Sequence, residues 1–419
     1  MLTAGKSLFN LALRGLSMGG RFLLIFYMGK YFSLEDLGSY GIFFTTVTLA
    51  LFLLGLDFYG FSNRELLLAE NHKRLSILRA QLLFYVFTYL VFLPPLYLLF
   101  TYDVLPFKFV IFFYVILVLE HFAQELYRIF TILGLPIFSN FLLFLRSAAW
   151  VYIILAGWLL VPALPESLEV LWWAWIAGAG LSIVVGVWKL VDMHSPAVMI
   201  PMPRAWFMAG LRISMLYFAS TIALKIIEYS SRYFIEYWVS LEDVGIFTFY
   251  NQIANMINIV IFTLFTMVVY PKMVVAVKDD DITELRRLKK YMINMTLVYS
   301  VSLGIFVVIA MEPVLMLMNK IEFKKEIYAF YVLVGANIVL NIGFVYHYLL
   351  YAFRKDFSLF IATVTAAACN MILNVVLIKH YGIIGAAVAT FLSFLILAVV
   401  KAVLARKAEV EYMQNRAGI

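Results

Sequence analysis

Long apolar runs alternate with short polar segments along the whole chain. A helix that crosses a bilayer needs about 20 apolar residues, and the chain holds about twelve runs of that length. The pattern therefore predicts an all-α polytopic membrane protein in which no loop is long enough to fold alone. The predicted spans are residues 8–30, 39–62, 79–101, 107–129, 137–160, 170–191, 207–231, 243–268, 291–311, 327–351, 357–379 and 383–404.

A repeated sequence divides these spans into two halves. Ser33-Leu-Glu-Asp-Leu-Gly38 returns as Ser240-Leu-Glu-Asp-Val-Gly245, and the same offset places Ala177-Gly-Ala-Gly180 on Ile384-Gly-Ala-Ala387. An even number of spans per half lets both halves enter the membrane from the same side, as in parallel transporter repeats. We interpret each Ser-Leu-Glu-Asp as a capped helix start and not as a binding site. The expected divisions are a six-helix lobe over 1–194, a cytoplasmic linker over 195–206 and a six-helix lobe over 207–419.

The composition excludes several classes of protein. Hydrophobic residues make up 64% of the chain and charged residues 14%, with a mean hydropathy of +0.95, whereas soluble proteins carry about 25% charged residues. The single cysteine, Cys369, rules out an intrachain disulfide and a cysteine-based metal cluster. The chain lacks the Gly-x-x-x-x-Gly-Lys-Ser/Thr loop that binds nucleotide phosphates, so it is not expected to hydrolyse ATP itself.

The distribution of lysine and arginine orients the predicted bundle. With a cytoplasmic N-terminus, 21 of the cations fall in cytoplasmic segments and 7 in outer loops, which places both termini in the cytoplasm by the positive-inside rule. The same rule accounts for the net charge of +7 without a nucleic-acid partner. In this assignment Arg232 meets head groups at the outer end of the seventh span, and Lys401 belongs to the final cytoplasmic segment.

Four cations fall inside the apolar runs: Arg14, Arg21, Arg146 and Lys225. Each costs about 2.5–3.5 kcal/mol at a helix centre, so such residues normally face a bundle interior or a watery cavity and mark function. Arg14 and Arg21 are seven residues apart and share a helix face. Arg14 lies near the cytoplasmic end, where it could instead extend to the head groups.

Acidic residues also lie inside predicted spans: Asp57, Glu120, Glu125 and Glu228. On the fourth span, His121, Glu125 and Arg128 follow helical spacing and form a polar stripe beside Glu120. The stripe allows three interpretations: internal salt bridges to Arg14, Arg21 or Arg146, a proton-binding site coupled to transport, or a metal site. The metal site has no support from a further cluster of histidines.

Further polar residues follow the same helical spacing in the second half. Lys225 and Glu228 are three residues apart on the seventh span, a spacing that allows them to pair with each other. On the eighth span, Asn251 and Asn255 begin an asparagine stripe. Such stripes either join helices by hydrogen bonds or bind a polar substrate, and the sequence leaves both open.

Three motifs resemble those of a known family. They are Lys30-Tyr-Phe-Ser-Leu-Glu-Asp-Leu-Gly-Ser-Tyr40, Leu54-Gly-Leu-Asp57 and Asn374-Val-Val-Leu-Ile-Lys-His-Tyr-Gly-Ile-Ile-Gly-Ala-Ala387. Together with an arginine-bearing first helix, they resemble the polysaccharide flippases of the multidrug/oligosaccharidyl-lipid/polysaccharide exporter superfamily. The O-antigen (Wzx-like) flippases are the nearest type.

The resemblance implies a MATE-like V-shaped bundle in the bacterial inner membrane. Its cargo would be a polyprenyl-diphosphate-linked oligosaccharide, carried to the outer leaflet by alternating access and bound in a cationic cavity. Substrate contacts would come from Arg21, Arg146, Lys225 and Arg14, with Asn251 and Asn255. Coupling to protons or ions would involve Glu120, Glu125, Asp57 and Glu228, and no cofactor is expected.

Partners and alternatives follow from the same resemblance. The expected partners are the lipid-linked oligosaccharide, the membrane lipids, a polysaccharide polymerase and glycosyltransferases. Two other functions stay open: a membrane glycan polymerase or ligase, and an H⁺- or Na⁺-coupled multidrug exporter of the same fold. Cations among the intramembrane acids argue against a cavity built for cationic drugs.

Overall fold

The computed structural model describes the backbone of residues 2–193 and 201–417, and within these ranges it contains helices and no strand. Side chains are described for residues 9–70, 73–193 and 201–414. The helices, without any strand in the described ranges, agree with the predicted all-α class. The helices are α1 Leu2–Tyr31, α2 Leu34–Gly55, α3 Tyr59–Leu68, α4 Asn71–Phe92, α5 Leu98–Thr101, α6 Val110–Ile132, α7 Pro136–Phe144, α8 Trp150–Leu160, α9 Leu168–Met193, α10 Arg204–Tyr229, α11 Ser231–Trp238, α12 Leu241–Ile261, α13 Met267–Lys278, α14 Ile282–Met318, α15 Ile321–Lys325, α16 Ile327–Ala352 and α17 Asp356–Ala417.

Eleven helical segments in the described part are long and apolar enough to cross a membrane. The last, Asp356–Gln414, has 59 residues and would extend about 88 Å at 1.5 Å per residue, far beyond the bilayer's apolar core of about 30 Å. It breaks at Gly382, whose φ is 57°, and Asn370 Nδ2 donates to Ser393 Oγ at 3.0 Å across the break. The segment therefore folds back on itself and supplies two of the predicted spans.

Two spans contain a wider π-helical turn. Leu145–Ala149 joins α7 to α8, and Phe262–Thr266 joins α12 to α13. Such turns are rare and recur at functional sites because they redirect side chains within a helix. The first turn carries Arg146, one of the predicted intramembrane cations.

The contacts group the chain into two compact units. Unit 1 comprises residues 1–32 and 42–218, and unit 2 comprises residues 33–41 and 219–419. Helices α2 and α10 each run from one unit into the other. The division into lobes at 195–206 stays a prediction, and residues 195–200 of that linker lie outside the described residues.

Both copies of the repeated motif begin a helix, as predicted. Ser33 Oγ accepts from the backbone N–H of Asp36 at 3.0 Å, and Ser240 Oγ accepts from that of Asp243 at the same distance. A Cβ at Gly38 would overlap the Leu241 carbonyl oxygen, and a Cβ at Gly245 would overlap that of Leu34. Because glycine has no side chain, the starts of α2 and α12 can approach each other closely within unit 2.

Unit 2 also contains a buried polar network where α10 gives way to α11. Ser230 Oγ donates to Asn370 Oδ1 at 3.0 Å, Ser231 Oγ donates to Asn374 Oδ1 at 3.1 Å, and Asn374 Nδ2 donates to Ser230 Oγ at 3.0 Å. These hydrogen bonds join the boundary between α10 and α11 to α17. The asparagines on α17 therefore hold helices together, one of the two roles that asparagine can take inside a membrane protein.

Candidate functional site

Arg146 lies in the π-turn of unit 1 beside a buried carboxylate. Its Nε is 3.5 Å from Glu120 Oε2, and Trp175 Nε1 donates to Glu120 Oε1 at 2.6 Å. The Nε and Nη1 atoms of Arg146 are buried and form no hydrogen bond with the described part of the chain. Glu120 thus balances the charge of Arg146 but leaves guanidinium donors unused.

Arg21 lies on α1 in the same unit and is exposed. It is near enough to Arg146 for the two positive charges to repel, and within the described residues it has no hydrogen bond or ion pair. Next to it, α1 packs closely on the π-turn, because a Cβ at Gly20 would overlap the Ala148 side chain. The two predicted arginines are therefore neighbours, and Glu120 pairs with one of them, Arg146.

Arg14 occupies the other end of the predicted arginine face. Its Nε donates to Asn140 Oδ1 of α7 at 3.3 Å, and Asn140 Nδ2 donates in turn to Asn10 Oδ1. These contacts are inside unit 1, between α1 and α7. Arg14 thus contributes to the packing of α1 on α7. It does more than extend to the head groups.

Glu125 on α6 accepts hydrogen bonds from three side chains. Gln81 Nε2 donates to its Oε2 at 2.9 Å and Tyr85 Oη at 2.8 Å, while Arg128 Nη1 lies 2.5 Å from Oε1. Arg128 also lies over the Tyr59 ring, 3.5 Å from its centre. Glu125 therefore pairs with an arginine on its own helix, not with Arg14, Arg21 or Arg146.

Asp57 lies between α2 and α3, where the backbone of Leu56 and Asp57 is left-handed, with φ of 45° and 50°. Asp57 is buried and lines a small crevice with Gly55, Gln124 and Arg128. Two adjacent non-glycine residues in this conformation store strain, which natural proteins tend to keep at functional positions. In this crevice Asp57 meets the polar stripe of α6.

His121 is buried on the same stripe. Its Nδ1 lies 2.7 Å from Tyr89 Oη, while its Nε2 is buried without a hydrogen-bond partner in the described part of the chain and points at Gly55. The described residues include no group of three histidine, cysteine, aspartate or glutamate side chains that could hold a metal ion.

Unit 2 contains the other predicted charges. Lys225 Nζ lies 2.6 Å from Glu228 Oε2, so the two residues form the pair that their spacing allows. Arg232 is 1% exposed, donates from Nε to Thr248 Oγ1 at 3.1 Å, and donates from Nη1 to the Glu228 carbonyl at 3.3 Å. The prediction that Arg232 meets head groups is wrong. The start of α11 packs against α12 and so encloses a side chain that hydropathy alone placed at the surface.

Two further expectations concern unit 2. Asn255 is exposed and accepts from Asn258 Nδ2 at 3.3 Å, and Asn251 is half-buried one turn earlier on α12. Lys401, which the positive-inside count placed in the cytoplasmic segment, is 2% exposed within α17. Its side of the membrane stays a prediction, but Lys401 packs inside unit 2 beside Phe344 of α16. Lys401 and Arg232 are the buried charges that sequence reasoning missed, and for Lys401 the available signal was its position inside the predicted span 383–404.

The structure thus sorts the predicted residues by unit. Arg14, Arg21, Arg146, Asp57, Glu120 and Glu125 lie in unit 1, and Lys225, Glu228, Asn251 and Asn255 lie in unit 2. In unit 1 the acids fall into two separate groups, one around Arg146 and one around Arg128. Their roles in binding or coupling stay predictions.

Comparison with known proteins places this arrangement in a family. The model of the family described as "Polysaccharide biosynthesis protein" matches residues 4–277, more than half of the chain. The chain belongs to this family. A search of curated proteins finds no match.

Solved structures show the same fold at low sequence identity. An inward-facing multidrug resistance MATE family transporter of the MOP superfamily gives a TM-score of 0.78 at 14% identity, covering 96% of this chain and 95% of that one. An outward-facing structure of such a transporter gives 0.68 at 14%, covering 96% and 94%. A variant of the MATE transporter VcmN from Vibrio cholerae gives 0.67 at 14%, covering 98% and 100%.

These findings establish a multi-pass membrane protein of the polysaccharide biosynthesis family with a MATE-like fold. The shared fold covers nearly the whole chain.

Proposed function

We propose that this protein is a secondary-active flippase for a polyprenyl-diphosphate-linked oligosaccharide. It carries the head group of an O-antigen or related surface polysaccharide unit to the outer leaflet of the bacterial inner membrane, with both of its own termini in the cytoplasm. The lipid tail stays in the bilayer, so only the charged head group needs a polar path.

The observation that supports this proposal most is the state of the two arginines in unit 1. Within the described part of the chain, Arg146 has two buried guanidinium nitrogens without acceptors, and Arg21 is exposed nearby and pairs with no acid. Unsatisfied buried donors are costly and rare in native proteins. A diphosphate supplies oxygen acceptors and two or more negative charges, and guanidinium groups bind phosphate oxygens in pairs. An anionic head group therefore fits this site better than a cation does.

The acids of the site fit a role in coupling. Glu120 and Glu125 are each held by one arginine, and Glu228 is held by Lys225. An incoming phosphate would compete with these carboxylates for their cations. A displaced carboxylate in an apolar environment favours its protonated form, so substrate binding and proton binding would be linked through Glu120, Glu125, Asp57 and Glu228.

The direct test is translocation by purified protein in liposomes. A fluorescent polyprenyl-diphosphate-linked oligosaccharide is added, and its transfer between leaflets is followed with a quencher that does not cross the membrane. Arg21→Ala should slow transfer by about 10-fold or more, the value of one charge-assisted contact of about 1.5–3 kcal/mol. Arg21→Lys should be slowed less, because it keeps the charge but loses the paired donors.

Arg79 provides the matched control, since it is an exposed arginine of unit 1 on α4. Arg79→Ala should transfer the glycan lipid within about 2-fold of the unchanged protein. Transfer by Arg21→Ala at the unchanged rate would remove Arg21 from the binding site. Failure of the unchanged protein to move the glycan lipid would refute the flippase proposal.

The second candidate is a coupled multidrug exporter, which the likeness to multidrug resistance transporters suggests. It predicts that deletion of the gene makes the cell drug-sensitive while surface glycans stay intact. The flippase proposal predicts the reverse, with glycan units accumulating on the cytoplasmic face.

A further inference from the structure

Lys401 is a buried cation in an apolar part of unit 2. It is 2% exposed, and its Nζ lies 5.9 Å from the centre of the Phe344 ring. The surrounding cluster joins α10, α16 and both halves of α17 and includes Leu340, Ala362 and Leu397. Among the residues whose side chains are described, none forms a hydrogen bond or an ion pair with Lys401.

His347 on α16 is the titratable group that interacts electrostatically with Lys401. Its Nδ1 is buried, and no described group forms a hydrogen bond with it. Its ring packs edge-on against Tyr348 at 5.1 Å and against Phe344 at 6.0 Å. Two basic side chains therefore share the Phe344 ring, and no acid among the described side chains pairs with either.

The neighbouring charges have partners of their own. On α10, which contributes Ala223 and Ile227 to the same cluster, Lys225 pairs with Glu228 at 2.6 Å. Glu409 lies eight residues further along α17, about 12 Å by helix rise, and pairs with Lys289 at 2.7 Å. Tyr348 stacks on Tyr270 at 4.8 Å. The first half of α17 contributes Thr363, whose hydroxyl donates to its own helix at Leu359.

We propose that Lys401 and His347 form a proton-binding pair in unit 2 that couples a proton gradient to transport. This proposal rests on the proposed function and specifies its coupling ion as the proton. In the packed arrangement, a full positive charge at either nitrogen has neither water nor an anion to stabilise it. Binding a proton from water at the amine or imidazole lone pair therefore favours an arrangement in which α16 and α17 separate and admit water. Release of the proton restores the packing.

The first test measures this opening without any cargo. Amide hydrogen exchange of the peptides that cover residues 340–350 and 394–404 is followed in the purified full chain at several pH values. The rates are corrected for the pH dependence of the intrinsic exchange rate. The unchanged protein should lose protection as the pH falls from about 8 to 6, while Lys401→Met should lose clearly less, because only His347 can still bind a proton. Equal behaviour of the two proteins, or protection independent of pH in both, would overturn the proposal.

The second test compares transfer of the glycan lipid with and without an imposed pH gradient. One coupled proton is worth up to about 10-fold per pH unit. The ratio of the two rates should therefore fall towards one in Lys401→Met and in Lys401→Arg, since one stays neutral and the other stays charged. Lys407→Met, an exposed lysine on the same helix, should keep the ratio of the unchanged protein. A ratio in Lys401→Met that matches the unchanged protein refutes the coupling.

The two tests separate the possible failures. If exchange depends on pH through Lys401 but the glycan lipid is not moved, the flippase proposal fails and the proton-binding pair stands. If the glycan lipid is moved but neither exchange nor the rate ratio depends on Lys401, the flippase proposal stands and the pair is refuted.

Discussion

The buried ion pair between Glu125 and Arg128 allows a quantitative prediction. Glu125→Gln keeps the shape of the side chain but removes its charge, and its amide nitrogen then faces groups that donate: Gln81, Tyr85 and Arg128. The pair is largely shielded, with side-chain exposures of 17% for Arg128 and 6% for Glu125. Removing one partner of such a pair costs about 3–5 kcal/mol, because the remaining charge stays buried without compensation.

The assay is thermal unfolding in detergent micelles, monitored by tryptophan fluorescence. For a cooperative unit of 150–250 residues, about 1 kcal/mol corresponds to 2–4 °C, so Glu125→Gln should lower the Tm by about 6–20 °C. The double variant Glu125→Gln with Arg128→Met should recover part of this loss, because it no longer buries a lone cation.

The chain contains a control pair of the same spacing. Lys189 and Asp192 are also three residues apart and 2.7 Å from each other, but Asp192 is 54% exposed. Asp192→Asn should change the free energy of unfolding by less than about 1 kcal/mol, as solvent-exposed ion pairs do. If Glu125→Gln melts within 1–2 °C of Asp192→Asn, the pair is not buried as described and the reasoning is refuted.

Two other changes test the packing around the repeat and the site. Gly38→Ala should destabilise unit 2, because its Cβ would overlap the Leu241 carbonyl oxygen, whereas Gly180→Ala has open space and should be neutral or slightly stabilising; equal melting temperatures would contradict the close approach. Trp175→Phe removes the 2.6 Å hydrogen bond to Glu120 and should cost about 1.5–3 kcal/mol of unfolding free energy. Trp173→Phe, at an exposed tryptophan, is its control, and an equal effect of the two changes would show that the hydrogen bond contributes nothing.

The spans and helix starts could be predicted from the sequence because both depend on local properties. Twenty apolar residues form a helix in a bilayer whatever their neighbours are, since the backbone must satisfy its own hydrogen bonds there. Ser33 and Ser240 cap helices through contacts three residues away. The pair Lys225 and Glu228 is local in the same sense, and its spacing was enough to suggest it.

The candidate site could be predicted only in part. The positions of Arg21 and Arg146 inside apolar runs marked them as special, and the structure brings the two together in unit 1. The sequence did not reveal which carboxylate pairs with which cation, since four acids and several cations allow many pairings. Glu125 turned out to pair with Arg128 on its own helix, and Glu120 with Arg146 on another.

The sequence by itself determined that this protein is a helical membrane protein with charges buried in its spans. The tertiary structure decided which of those charges are neutralised, which are left with unused donors, and which supposed surface cations, Arg232 and Lys401, are enclosed. The physical reason is that hydropathy is a property of a segment, whereas the cost of a charge depends on what the neighbouring helices place within a few ångströms of it.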